Sequence, residues 1–389
     1  MASAPAIAVV GSAIHAPRDP KQRSLEEAMY AVAKAALFDA GLSTDDLDGI
    51  VVGANDQLDG RAISIMMASG SVGGVGRDIL STPSAAEHAF VLGAMRIATG
   101  QYRTQLVVSW SPTAVNSVPE ALKLGTDPYF HRALPLDELS AAALQATAIE
   151  HAVPGVREAA LGIVVKNRSN GAAAYPDRSP APLEQSWIGS GKMLRWPLTE
   201  NMVSPPAYGL VALVLASAAF VKKRRLSSPA WIHGMGWATE TGFLGDRDLA
   251  NALALAEAAR QAYRAAAIKD PTDAFQLAEV SDATPYQELL ACEGLGLSAR
   301  KQWRNARKSA RFASDGSTPV NLSGGALSFN PVYCAGLVSI AEAANQVRGR
   351  AGHHQRKNVR RVVAHAASGF AMQYHTVVVM GADRREARS

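Results

Sequence analysis

Short, wholly apolar runs alternate along the chain with longer stretches in which small apolar residues recur every three to four positions. AIAVVGSAI at 6–14 reads as a buried strand, EEAMYAVAKAALFDAGL at 26–42 as an amphipathic helix stopped by Gly41, and DDLDGIVVGA at 45–54 as a second buried strand. The same order returns after Pro229, with AWIHGMGWA at 230–238, ANALALAEAARQAYRAAAI at 250–268 and AFQLAEVSDA at 274–283. A second pair supports a duplication: AEHAFVLGAMRIATG at 86–100 leads into TQLVVSW, and AGLVSIAEAANQVRG at 335–349 leads into RRVVAHA. Two α/β halves related in this way would bring the N-termini of the two small-residue helices together, and helix N-termini favour developing negative charge.

The pattern changes between 112 and 200, where prolines and polar turns scatter among weaker periodicities; it reads as an insertion that covers a site. GLVALVLASAAFV at 209–221 is too short to span a bilayer and reads as a buried strand running into a helix. The pattern therefore predicts halves at 1–228 and 229–389, and no membrane span.

Composition adds little to this picture. With 48% hydrophobic and 19% charged residues among 389, the chain is a compact globular protein by composition. A net charge of +5 includes two basic stretches, 301–311 and 348–361, that lack interleaved aromatics and read as solvated surface, with His353 and His354 among them; no nucleic-acid partner is expected. Cys292 and Cys334 have no metal-ligand or disulfide spacing, so no metal site is expected and a cytoplasmic location is favoured.

Six segments occur in an order that resembles the thiolase superfamily, in its sterol carrier protein or lipid-transfer branch. They are REAALGIVVKNRSNGAAAYPDRSP (157–180), SPPAYGLVALVLAS (204–217), SPAWIHGMGWATET (228–241), EVSDATPYQELLACEGLGL (279–297), STPVNLSGGALSFNP (317–331) and VVAHAASGFAMQYHTVVVMG (362–381). The resemblance implies an α/β thiolase-like fold: two duplicated βαβαβ halves layered α/β/α/β/α, with an inserted loop domain. It also implies a coenzyme A thioester as substrate, no bound cofactor, a homodimer, and a zinc-ribbon and OB-fold partner protein.

Family thiolases attack the thioester with a cysteine at the N-terminus of the first central helix. That column falls here on Pro83 or Ser84, the family's His-Asp pair on Ser281 and Asp282, its Gly-His on Asn330, its terminal cysteine on Ala366 or Ala367, and an acidic column on Tyr208. The glycines Gly324, Gly325 and Gly369 are kept, so the loop reads as retained for backbone N–H groups that hold a thioester oxygen, with Ser281 and Asp282 beside it.

Candidates for chemistry are therefore Tyr333, as pocket filler or proton donor; His365, as general base; Tyr286, as a second phenol on the same rim; Asn330, a hydrogen-bonding group that cannot act as a base; and Ser84, as replacement nucleophile or, more simply, as the helix cap. His88, one turn into the first central helix, either faces the site or, more simply, is packed or surface, and both cysteines read as core. Two functions follow: carbon–carbon bond cleavage or formation next to a CoA thioester without an acyl-cysteine, as in thiolase-like aldolases, or a catalytically silent subunit supporting an active paralogue.

Overall fold

The computed structural model describes residues 5–17, 23–60, 62–111, 118–124, 126–176, 190–308 and 310–384. Among the described residues nine strands form one sheet: β1 (Ile7–His15), β2 (Gly49–Gly53), β3 (Asp78–Thr82), β4 (Thr104–Trp110), β5 (Leu210–Ser217), β6 (Ala230–Thr239), β7 (Leu277–Val280), β8 (Arg361–Ser368) and β9 (Tyr374–Gly381). Their spatial order is β7-β8-β9-β6-β1-β5-β4-β2-β3.

The duplication is explicit in this order. In the N-terminal half β1 pairs antiparallel with β5, β5 antiparallel with β4, and β4 parallel with β2. In the C-terminal half β6 pairs antiparallel with β9, β9 antiparallel with β8, and β8 parallel with β7. Within the sheet the halves join at Ala8↔Trp231 and Val9↔Ala230. Beyond β2 the first half adds β3, an edge strand paired on one side.

Four major helices complete the layers. Helix α1 (Leu25–Asp39) opens on a capping box: the Glu27 N–H donates to Ser24 Oγ and the Ser24 N–H to Glu27 Oε2. It packs with Ala8, Val10, Ile50, Val52, Leu106 and Val108 on one face of the first half-sheet. The intervening residues Val9, Val51 and Val107 face the other way, toward α2 (Ala86–Ala98) and α3, defined below, as the period of two along a strand requires. In the second half Val362, Ala364 and Val378 face the same central helices, while Val363, Val377 and Val379 face the helix Leu253–Ala265. The two small-residue helices therefore form the middle of five layers, as the sequence suggests. Glycine lets the outer helices approach closely in both halves: a side chain on Gly11 would strike the Ala36 carbonyl, and one on Gly234 the Ala262 carbonyl.

The second central helix, α3 (Ala335–Arg348), also ties the halves together. Arg348 donates to Asp39 Oδ2 at 2.6 Å and to the Val10 carbonyl at 2.7 Å, and only 2% of its side chain is exposed. The basic stretch that begins there is thus partly interior, contrary to its expected surface role.

Within the excursion between β4 and β5, helices Glu138–Ala152 and Arg157–Ala174 share a core with Tyr286, Leu289, Trp303 and Leu327 of the C-terminal half. Segments 112–117 and 177–189, which include the end of the expected loop-domain motif, lie outside the described residues.

Candidate active site

The turn between β3 and α2 faces the N-terminal end of α3. Tyr333, one residue before the α3 cap Cys334, has φ 76° and donates its hydroxyl proton to the Thr82 carbonyl at 3.0 Å. Thr82 Oγ1 lies 3.0 Å from Ser84 Oγ, and Ser84 Oγ lies 2.7 Å from His88 Nδ1. The edge of the His88 ring meets Tyr374 of β9 at a centroid distance of 5.8 Å. A continuous polar string thus runs from the phenol to the imidazole across the point where the two central helices begin.

Ser84 is exposed and does not cap α2. The cap position is Ala85, which makes no side-chain bond, and the Ser84 hydroxyl turns instead to the imidazole one helical turn ahead. That four-residue spacing on a helix brings side chains together and is visible in the sequence as Ser84-x-x-x-His88.

Directly below lies Glu87, which the sequence reading did not single out. It is 1% exposed, its Oε1 has no hydrogen-bond partner among the described residues, and burial pushes its carboxyl above the ordinary range, against opposing influences from His88 and Ser368. Burial, with Glu87 nearby, likewise raises the Tyr333 phenol. An acidic residue in the first turn reads simply as favourable to the helix dipole, but one placed among alanines that pack inward is a signal of a functional interior.

The glycine loop does not hold out its N–H groups as expected. Gly324 N–H donates to the Asn321 carbonyl at 3.0 Å and Gly325 N–H to Ser323 Oγ at 3.2 Å. The next two, from Ala326 and Leu327, go to Asp282 at 2.6 and 3.3 Å. Gly325, at φ 60°, is required because a side chain there would occupy the Asp282 carboxyl. Gly324, at φ 93°, faces Gly171 of the excursion at 2.5 Å from where a Cβ would stand. The loop's amides therefore build the loop rather than receive a ligand, and Asp282 is a cap for the short helix Gly325–Ser328.

A buried network anchors this loop. Asn167 Nδ2 donates to Asp282 at 2.6 Å and to Glu288 at 2.7 Å, Lys166 pairs with Glu288 at 2.8 Å, and Asn321 Nδ2 donates to Glu288 at 2.9 Å. Desolvation, then Glu288, pushes Asp282 up to about 8. Behind it Glu279 accepts from Ser323 Oγ at 2.5 Å and is raised to about 7 by burial and by Glu342. Glu342 is in turn bonded to Tyr175 and, at 3.0 Å, to His354. His354 is consequently an interior residue and not surface; burial alone would lower its pKa, but Glu342 holds it above the ordinary value.

The remaining candidates separate. Ser281 Oγ accepts from the Ala367 N–H at 2.7 Å, tying β7 to the terminal hairpin, whose turn uses Gly369 at φ 73°. Asn330 donates to Ser204 Oγ at 2.9 Å, with its backbone paired to Pro206. His365 is fully buried on the face of β8 turned away from the central helices, 3.1 Å from His375, and burial holds it well below its ordinary pKa. Ala366, its neighbour, is the residue that faces α3. Tyr286 is not on the rim either: it is fully buried in the excursion's core and donates to Glu150. Tyr208 is partly buried against the first-half core.

Neither thiol is poised for attack. Cys334 is fully buried beneath Tyr333, with Sγ 3.6 Å from the Gly209 carbonyl, and burial raises both it and Cys292 far above the ordinary thiol range. No cluster of metal-ligating side chains occurs among the described residues, and no helix among them is long and apolar enough to cross a membrane.

A family described as "Thiolase C-terminal domain-like" matches residues 237–382, the segment that supplies Ser281, Tyr333 and the terminal hairpin. Over that segment the chain is similar to thiolases. Its fold superposes on the Ltp2-ChsH2(DUF35) aldolase with a TM-score of 0.80 at 22% identity, covering 98% of both chains. It superposes on a monomeric SCP2-thiolase-like protein from Mycobacterium smegmatis with a TM-score of 0.76 at 18% identity, covering 98% of this chain and 78% of that one. Among curated relatives this thiolase-like chain is 29% identical over 201 residues to an acetyl-CoA acetyltransferase of Methanothermobacter thermautotrophicus, 51% of this chain and 52% of that protein. It is 30% identical over 165 residues to sterol carrier protein 2 of Oryctolagus cuniculus, 41% of this chain and 30% of that protein. The chain matches about half or less of the length of these relatives.

Proposed function

We propose that this thiolase-like chain acts on acyl-CoA thioesters, breaking or forming the carbon–carbon bond between C2 and C3 of the acyl chain without an acyl-cysteine. The observation that carries this reading is the composition of the site's centre: a Ser–His pair and a phenol stand where the fold presents its two central helix N-termini, while both thiols are buried and protonated. The likeness to an acetyl-CoA acetyltransferase supports the thioester class, and the likeness to an aldolase supports the reaction type.

In the retro-aldol direction a 3-hydroxyacyl-CoA gives up its hydroxyl proton to a base, the C2–C3 bond breaks, and a C3 carbonyl forms. The bond's electron pair enters the thioester as an enolate, which is then protonated at C2. The helix N-termini present fixed dipoles suited to the enolate oxygen, and Tyr333 adds its hydroxyl proton when that proton turns from the Thr82 carbonyl to the enolate.

The assembly we propose is a homodimer through the free edge of β3, together with a partner of the DUF35 kind named for the aldolase, a zinc-ribbon and OB-fold protein, in the cytoplasm. Thermal unfolding against CoA, acetyl-CoA, propionyl-CoA and a series of 3-hydroxyacyl-CoA thioesters tests the substrate class. A midpoint that rises with thioester concentration supports it, since a ligand that binds only the native state stabilises by mass action. A midpoint indifferent to every thioester contradicts it, and binding without turnover by the chain and its partner supports a silent subunit instead.

A further inference from the structure

The retro-aldol reading needs a base, and the family pattern supplies none here: the columns that would hold histidines carry Ser281 and Asn330. The other imidazoles near the terminal hairpin are committed elsewhere. His365 and His375 bond each other on the far face of the sheet, and His354 bonds Glu342 behind the glycine loop. His88 differs from them in three respects. It is only partly buried, it lies in the first turn of α2 and is bonded to Ser84, two residues after the Thr82 that receives the Tyr333 hydroxyl, and one ring nitrogen is held while Nε2 has no hydrogen-bond partner among the described residues.

We propose that His88 is the general base of this site and that Ser84 is its positioning residue. The inference rests on the reading given under Proposed function and names the group that reading leaves open. With the proton of Nδ1 donated to Ser84 Oγ, and that of Ser84 passed to Thr82 Oγ1, the lone pair of Nε2 is left free to accept. The Tyr374 edge contact fixes the tilt of the ring. Nε2 takes the proton from the C3 hydroxyl, the C2–C3 bond breaks with its electron pair delocalised into the thioester, and the imidazolium returns the same proton to C2. No co-reactant is required, and the imidazole is regenerated at the end of the cycle.

Ser84, in the column where relatives carry a nucleophile, thereby acts through the imidazole rather than on the acyl carbon. Its hydroxyl is shared between Thr82 and His88, a geometry that orients the ring as readily as it activates an attack.

The test uses the full chain with 3-hydroxyacyl-CoA probes of several chain lengths, following release of the shortened acyl-CoA. His88→Gln should lower kcat about 10²-fold or more, with KM changed by less than about threefold, and His88→Gly should regain rate on addition of imidazole. Ser84→Ala should lower kcat about tenfold without imidazole rescue, and Ser84→Thr, which keeps the hydroxyl, should restore it. Wild-type kcat in His88→Gln, or a folded His88→Gly that imidazole does not rescue, would overturn the assignment while leaving the retro-aldol reading intact. A wild-type protein that binds these thioesters and cleaves none would instead remove the reading itself, and the base with it. An acyl group found on Ser84 would also overturn the assignment, by making that residue the nucleophile.

Discussion

Glu87 of α2 and Gly336 of α3 meet across the central layer so closely that a methyl group on Gly336 would stand 2.6 Å from Glu87 Oε2 and 2.7 Å from Ala366 Cβ. The fold leaves room there for a carboxyl and for nothing beside it. Gly336→Ala should therefore destabilise the protein by about 1–3 kcal/mol in urea unfolding, because both neighbours are buried and packed. An unchanged midpoint would show that the two helices separate more easily than their small residues suggest.

Glu87→Gln keeps the shape and removes the titration. The folded carboxyl is raised by burial, so its contribution to stability is present below the unfolded value, 4.5, and is lost as pH rises through the folded value. The variant should lose that part of the decline and equal or exceed the wild type in stability on the alkaline side. Stability curves that run parallel from pH 4 to pH 9 would contradict the shift.

The same sign holds for the buried acids behind the glycine loop. Asp282 is raised to about 8 from 3.8 and Glu279 to about 7 from 4.5, so the folded state holds protons that the unfolded chain has released. Unfolding free energy should fall as pH rises from about 4 and level off above about 9. Asp282→Asn should flatten the upper part of that slope. A protein most stable at alkaline pH would exclude these assignments.

Gly325→Ala tests the loop directly. The residue sits at φ 60° and a side chain would enter the Asp282 carboxyl, so the substitution combines left-handed backbone strain with a steric conflict. A loss of about 2–4 kcal/mol is expected. Thioester binding should fall no further than the unfolding explains, because the loop amides are used within the loop.

Both cysteines should resist a disulfide reagent in the native protein and react together only on unfolding, since neither thiol is accessible or ionised. Rapid native labelling of Cys334 would place a reactive thiol in the site after all.

Much of the fold was legible because the two halves repeat the same strand and helix patterns, and because alternation along a strand is strict. The central position of α2 and α3 follows from their small residues and is what their core contacts show. The site was less legible. His365 was chosen by its place in a motif, but the period of two along β8 turns it away from the centre that Ala366 faces. Tyr286 lies one turn past Asp282, yet its partner Glu150 comes from the excursion, 136 residues earlier, and no local pattern announces it. The glycine loop was read as offering amides outward because the carboxyl that takes them, Asp282, lies 44 positions away. Ser84 and His88, by contrast, stand at the helical spacing that brings side chains together, so their pairing was available from the sequence and was masked by the simpler capping role.

The most direct test of the account combines intact-protein mass with product analysis while the chain, with and without a DUF35-type partner, turns over a 3-hydroxyacyl-CoA. The predicted result is a shortened acyl-CoA and a free carbonyl compound in equal amounts, a protein mass unchanged throughout, and a Tyr333→Phe variant slowed about 10²-fold at nearly unchanged affinity. An acyl adduct on Ser84 or Cys334 that forms and decays at the rate of turnover would contradict it.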